Sequence, residues 1–167
     1  MFLYPKLYLN SVKEITLQIL EENNIKGIIL DVDNTLIDFN RKMPDGIKEW
    51  AENLKQNNIK LYIVSNSNHK EKVENTAKTL DVPYTYFAKK PLKGGLNKAK
   101  KALELPSEQI AVVGDQIFTD VIGANRSKMF SILVKPINEK DIWATKIKRP
   151  IENRIIKKYL KLTEENK

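Results

Sequence analysis

Cysteine is absent from this chain of 167 residues. That excludes a disulfide framework, thiolate metal sites and a cysteine nucleophile, and it fits a reducing compartment. Glycine and proline are scarce, at 6 and 7 residues, so the composition is neither collagen-like nor that of a disordered tract. No apolar run approaches the roughly 18 residues of a spanning helix. The opening Met1–Asn10 stretch has neither the basic n-region nor the apolar h-region of a secretory leader. A cytoplasmic protein is expected. Histidine is limited to His69, which reads as a first-turn helix residue because no partner for a catalytic role can be identified.

Positive charge, by contrast, is plentiful. Lys and Arg number 29 against 21 Asp and Glu, a net +8, which favours polyanionic partners such as nucleic acid, an anionic lipid surface or a phosphorylated substrate. Between Val82 and Leu103 there are six lysines and no acidic residue, and from Arg126 onward twelve basic residues face five acidic ones. Any one of these side chains taken alone is an ordinary solvated surface residue.

The hydrophobic residues, 41% of the chain, fall into short Ile- and Val-rich runs that alternate with amphipathic stretches. That is the pattern of βα units around a parallel sheet. Strands are predicted at Gly27–Val32, Ile59–Ser65, Tyr84–Phe87, Ile110–Gly114 and Phe130–Val134. Ser11 with Glu14 reads as a capping box, Pro44 suits the first turn of a helix through Asn57, and Asn68 caps a helix to Leu80. Further helices are expected from Gly94 or Gly95 to about Leu105, over Val121–Ser127 and over Ile151–Leu162. The whole, 1–167, is expected to be one α/β domain: an N-terminal helix at about 11–24, a core at about 25–135 and a C-terminal helical extension at about 136–167.

In an open parallel sheet, ligands bind beyond the carboxyl ends of the strands. The first strand runs into Asp31-Val32-Asp33-Asn34-Thr35-Leu36, with two carboxylates at i and i+2. A calcium loop of the EF-hand type does not fit, because its sixth position would be Leu36 and its twelfth Lys42. The second strand ends in Ser65-Asn66, the third is followed by Lys89-Lys90-Pro91, and the fourth runs into Gly114-Asp115-Gln116-Ile117-Phe118-Thr119-Asp120. Each segment is unremarkable by itself. Together they place four carboxylates, a hydroxyl and a lysine along one sheet edge, where mutual repulsion calls for an ammonium and a hard divalent cation such as Mg²⁺.

This ordered set resembles the haloacid dehalogenase (HAD) superfamily. Asp31-x-Asp33-x-Thr35-Leu36 is similar to its first motif, Ser65 to the second, Lys90 before Pro91 to the third, and Gly114-Asp115 with Asp120 to the fourth. The resemblance implies a three-layer, Rossmann-like fold around a parallel sheet of about five strands. It also implies a phosphatase: Asp31 attacks phosphorus and forms an aspartyl phosphate, while Asp33 protonates the leaving alcohol and then activates water. Thr35, Ser65, Asn66 and Lys90 would bind the phosphoryl group. Mg²⁺ would be held by the Asp31 carboxylate, the Asp33 backbone carbonyl and Asp115, with Asp120 in support. Only 37–43 separate the first motif from the next helix, so no cap domain is expected and the site is open to a bulky substrate.

Within the superfamily the chain looks most like the type IIIA phosphatases. The closest resemblance is to the YqeG-like family related to mitochondrial phosphatidylglycerophosphate phosphatases, and the Thr145–Glu152 stretch contributes to it. That implies phosphatidylglycerophosphate as the first specific substrate. Phosphatases of soluble phosphosugars, nucleotides or nucleic-acid ends remain open, as does an RNA or ribonucleoprotein-binding role on the same scaffold. Nucleic acid is not favoured, since the chemical set is intact and no recognisable nucleic-acid module is present. The apolar start, Phe2 to Leu9, and the stripe Ile151, Ile155, Tyr159 and Leu162 are expected to dock on the core. Either could instead lie on a bilayer beside the Lys clusters, giving weak, salt-sensitive contact with anionic membrane.

Overall fold

The computed structural model describes residues 2–138 and 143–166, with the side chains of 143–148 left aside. The part of the expected C-terminal extension at 139–142 therefore lies outside the described residues.

The five strand runs predicted from apolar character all lie in a wholly parallel sheet, four of them in its middle and the one at Tyr84, shortened to two residues, at its edge. In chain order the strands are β1 (Leu7–Leu9), β2 (Gly27–Leu30), β3 (Lys60–Val64), β4 (Tyr84–Thr85), β5 (Ile110–Gly114) and β6 (Phe130–Val134), arranged spatially as β1-β6-β5-β2-β3-β4. The helices are α1 (Leu17–Glu22), α2 (Ile47–Gln56), α3 (Lys70–Leu80), α4 (Gly94–Leu103), α5 (Ile122–Arg126) and α6 (Trp143–Glu165).

Successive strand residues point to opposite faces, and both faces are covered. Ile28, Leu30, Leu61, Ile63, Ala111 and Val113 pack beneath α2 and α3, against Trp50, Leu54, Val73, Ala77 and Leu80. Ile29, Tyr62, Val64 and Val112 face α4 and α5 through Leu96, Ala99, Leu103 and Ala124. Double coverage explains why these strands read as unbroken apolar runs rather than alternating ones.

Three local expectations are corrected. The sheet has six strands, because Leu7–Leu9 pairs with β6 in the register Leu7↔Ile132 to Leu9↔Val134; a half-buried triplet carries too little pattern to announce itself. The expected 11–24 helix is a 3₁₀ turn, Val12–Glu14, followed by the short α1. Ser11 Oγ accepts from Lys13 N at 3.3 Å, Glu14 reaches back to Asn10 N at 2.8 Å, and Thr16 caps α1 through Ile19 N at 3.2 Å. So Ser11 and Glu14 cap a turn, and the capping of the helix proper belongs to Thr16. Finally, α6 begins before Pro150 and carries it inside, although proline ordinarily marks a helix start.

The strand order matters for chemistry. From β2 the chain goes to β3 on one side, while β5 lies on the other, so Asp31 and Asp115 leave the sheet on either side of a reversal in topology. That is where an open α/β sheet leaves a crevice.

Candidate active site

Asp31 follows β2 directly, its N–H donating to Val113 O at 2.9 Å. Lys90, delivered by the loop after β4, is buried and satisfies all three ammonium hydrogens: Asp120 Oδ1 at 2.7 Å, Val64 O at 2.8 Å and Asp31 Oδ1 at 3.0 Å. One lysine thus ties together the carboxyl ends of β2 and β3 and the segment after β5. Burial works to lower the Lys90 pKa, and the Asp120 and Asp31 charges outweigh it, leaving the ammonium raised. Asp31 is pushed well above the usual carboxylate range by burial; Lys90 pulls it down, and Asp120, Asp115 and Asp33 add to the rise.

Asp120 is set by a π-helical turn, Ile117–Val121, whose start it also receives, since Gln116 N donates to its Oδ2 at 3.2 Å. The carboxylate lies against Gly114 so closely that a Cβ there would run into it. Asp115 comes from the same loop. Burial, reinforced by the Asp120 charge, pushes it up to about 7 in spite of Arg149.

Carboxylate oxygens of Asp31, Asp115 and Asp120 lie within 4.8 Å of one another. Asp115 Oδ1 is buried without a hydrogen-bond partner, a costly state for an acceptor of this kind. Hard oxygen donors with one buried lone pair unspent suit a hard divalent cation, so the residues present fit the metal that the motifs imply.

Thr35 and Ser65 are both buried. Thr35 Oγ1 has no partner, whereas Ser65 Oγ accepts from Ser67 N at 3.1 Å and keeps its own hydrogen to donate. Asn66 is placed differently from the phosphate-binding amide the sequence suggests. Its Nδ2 donates to Lys90 O at 2.9 Å and its Oδ1 accepts from Lys90 N at 2.6 Å, so the amide clamps the loop that carries the lysine.

Three participants escaped the sequence reading. Lys72, in the first turn of α3, donates to Asp33 Oδ1 at 2.6 Å. Arg149 of α6 holds one residue twice, through the Asp115 carbonyl at 2.9 Å and through carboxylate Oδ2. Buried Glu152, one turn along, accepts from Phe118 N at 3.1 Å and lies 3.6 Å from Arg149. The helix therefore straps down the loop after β5. The signal for that strap was Arg and Glu at i, i+3, which share a helix face; for Lys72 nothing in the residue type distinguished it from its neighbours.

A model of the family described as "Mitochondrial PGP phosphatase" matches residues 1–138. "Probable phosphatase YqeG" of Bacillus subtilis (strain 168) is 38% identical over 156 residues, covering 93% of this chain and 90% of the relative. "Phosphatidylglycerophosphate phosphatase 1, chloroplastic/mitochondrial" of Arabidopsis thaliana is 23% identical over 96% of this chain, which spans only 49% of the plant protein. Among solved structures, an uncharacterized protein from Listeria monocytogenes serotype 4b superposes with a TM-score of 0.57 at 19% identity, over 71% of this chain and 85% of that one. The 3-deoxy-D-manno-octulosonate 8-phosphate phosphatase of Yersinia pestis gives 0.51 at 17% identity, over 73% and 79%. At such identities these two establish the fold.

Proposed function

The chain belongs to the mitochondrial PGP phosphatase family of the HAD superfamily, and on that premise we propose that it is a Mg²⁺-dependent phosphatase of phosphatidylglycerophosphate. One observation carries the phosphatase chemistry. Asp31 is buried and held by Lys90, while Asp33, two residues on, stands at the solvent edge against Lys72.

Asp31 Oδ attacks phosphorus, the bond from phosphorus to the ester oxygen breaks, and Asp33 in its acid form gives that oxygen its proton. Asp33, now a carboxylate, takes a proton from water; the water oxygen bonds to phosphorus and the Asp31–phosphorus bond breaks, releasing inorganic phosphate. Splitting one displacement in two lets the chain use a carboxylate as nucleophile. Lys90 holds Asp31 and offers charge to the phosphoryl oxygens, which the Ser65 and Thr35 hydroxyls also meet. Asn66 acts through Lys90 by fixing its backbone. Asp31, Asp115 and the Asp33 backbone carbonyl would hold a divalent ion, taken here as Mg²⁺, which when bound would supply positive charge against the carboxylates and the phosphate dianion.

Among the described residues no cap covers this edge: β2 leads to α2 through a loop, and between β3 and Lys90 lie only α3 and β4. A head group attached to a large lipid can therefore reach Asp31. The test is phosphate release with Mg²⁺ from phosphatidylglycerophosphate in mixed micelles, beside an aryl phosphate and soluble sugar phosphates, with Asp31→Asn as control. Preference for the lipid, lost in the variant, supports the assignment. Turnover of soluble esters alone would overturn the lipid substrate, and no turnover at all would overturn the enzyme reading.

A further inference from the structure

Among the described residues no helix is long and apolar enough to cross a membrane. Eight large apolar side chains are exposed in the described part of the molecule, and four of them, Phe39, Tyr86, Phe87 and Leu92, lie on the loops that leave β2 and β4 at the site's edge of the sheet. Phe39 is 65% exposed, Phe87 54% and Leu92 55%.

Their backbones are fastened, so the exposure is built in. Phe39 N donates to Asn138 Oδ1 at 2.8 Å and Phe87 N to Ser67 O at 2.8 Å, with Ala88 N on Ser65 O at 2.9 Å. Cations accompany them: the Lys89 ammonium stands 4.9 Å over the Phe87 ring, Lys93 follows Leu92, and Arg41 follows Phe39 by two residues. Fixed, exposed apolar side chains interleaved with cations match a lipid headgroup layer in both respects.

We propose that this rim docks on an anionic bilayer, with Phe39, Phe87 and Leu92 entering the interface, so that the phosphomonoester head group rises into the Asp31 site without leaving the membrane. The proposal deepens the reading above and rests on it for the choice of a lipid partner. It also moves membrane contact away from the chain ends. Leu7–Leu9 is a strand of the sheet, and α6 is docked through Ile155 and Ile156, with Tyr159 edge-on to Tyr4 at 5.8 Å between ring centres, although Phe2 and two members of the expected stripe, Ile151 and Leu162, stay exposed.

The experiment is co-sedimentation of the full chain with phosphatidylcholine vesicles, with and without phosphatidylglycerol, for the unaltered protein, Phe39→Ser/Phe87→Ser and Leu160→Ser/Leu162→Ser. The expected result is preference for the anionic vesicles that falls about tenfold in the rim variant and is unchanged in the helix variant. Hydrolysis of a soluble aryl phosphate should stay within about twofold in all three, which certifies the fold and the site. No preference for anionic vesicles, or loss only in the α6 variant, would overturn the proposal. So would retention of binding by the rim variant, including a salt-sensitive affinity shared equally with single-stranded RNA. If micellar phosphatidylglycerophosphate is not hydrolysed while rim-dependent vesicle binding holds, the substrate assignment falls and the docking surface stands. Hydrolysis in micelles without vesicle binding gives the reverse.

Discussion

Asp31 and Asp33 are two residues apart and have the same side chain, yet the fold gives them opposite surroundings. The Asp31 side chain is 12% exposed and bound by a buried ammonium, whereas that of Asp33 is 49% exposed and paired with Lys72 at the mouth. Burial beside a fixed cation aims the nucleophile; the burial itself raises the Asp31 pKa, and the Lys90 ammonium works against that rise. A group that exchanges protons twice per turnover belongs where water reaches it. The pair shows how an i, i+2 repeat at a strand end becomes a division of labour once one position enters the sheet's edge and the other leaves it.

The strongest way to break this division is to exchange the two losses. Asp31→Asn should lower phosphate release by at least about 10⁴-fold for every ester, since no nucleophile remains. Asp33→Asn should cost about 10²–10⁴-fold on alkyl phosphates, and much less in the first step on aryl phosphates, whose leaving group needs no proton; burst kinetics on the two esters reads the difference. Equal losses on both esters would remove Asp33 from its assigned role.

Arg149→Met sharpens the same comparison from the buried side. Freed from its double hold, Asp115 should lose its fixed direction, lowering activity at saturating Mg²⁺ by about 10–100-fold. Mg²⁺ titration of activity beside far-UV circular dichroism separates that from unfolding.

Proton competition gives a smaller effect. Burial, with the Asp120 charge, pushes Asp115 up to about 7, above its range in the unfolded chain. Its charge therefore opposes folding above that pH, and the penalty fades as pH falls through it. The melting temperature of EDTA-treated protein should accordingly gain from this group between pH 8 and pH 6, while the rise produced by added Mg²⁺ should be larger at pH 8, where the carboxylate is already ionised. Lys72→Met is the mildest change: the ammonium is lost from a carboxylate, Asp33, that is itself half-exposed, and kcat should fall only about two- to fivefold.

The parts of the site that lie at strand ends were legible, because doubly covered strands are continuous in apolar character and their ends are therefore sharp in the sequence. Asp31, Ser65 and Asp115 follow from that, whereas Lys90, five residues beyond the two-residue edge strand β4, was marked by the resemblance of Lys90-Pro91 to the third motif. What a polar side chain touches is a different matter, and spacing is silent about it: the Asn66 amide clamps the Lys90 backbone, and nothing local distinguishes that from an amide aimed at phosphate. Arg149 and Glu152 were hidden because their partners, Asp115 and Phe118, lie 34 residues away for each pair. The Pro150 between them also suggested that the last helix began later than it does.

The pairing of β1 with β6 has a consequence for how the molecule comes to be folded. Lys6 N and Ser131 Oγ, joined at 3.1 Å, are separated by 125 positions, so the beginning of the chain cannot find its place during synthesis until almost all of the sheet exists. Up to that moment the growing β5 edge is bare, and such an edge pairs readily with other chains. A ribosome stalled, or a gene truncated, before Phe130 should thus release a product that aggregates rather than a smaller, partly working enzyme.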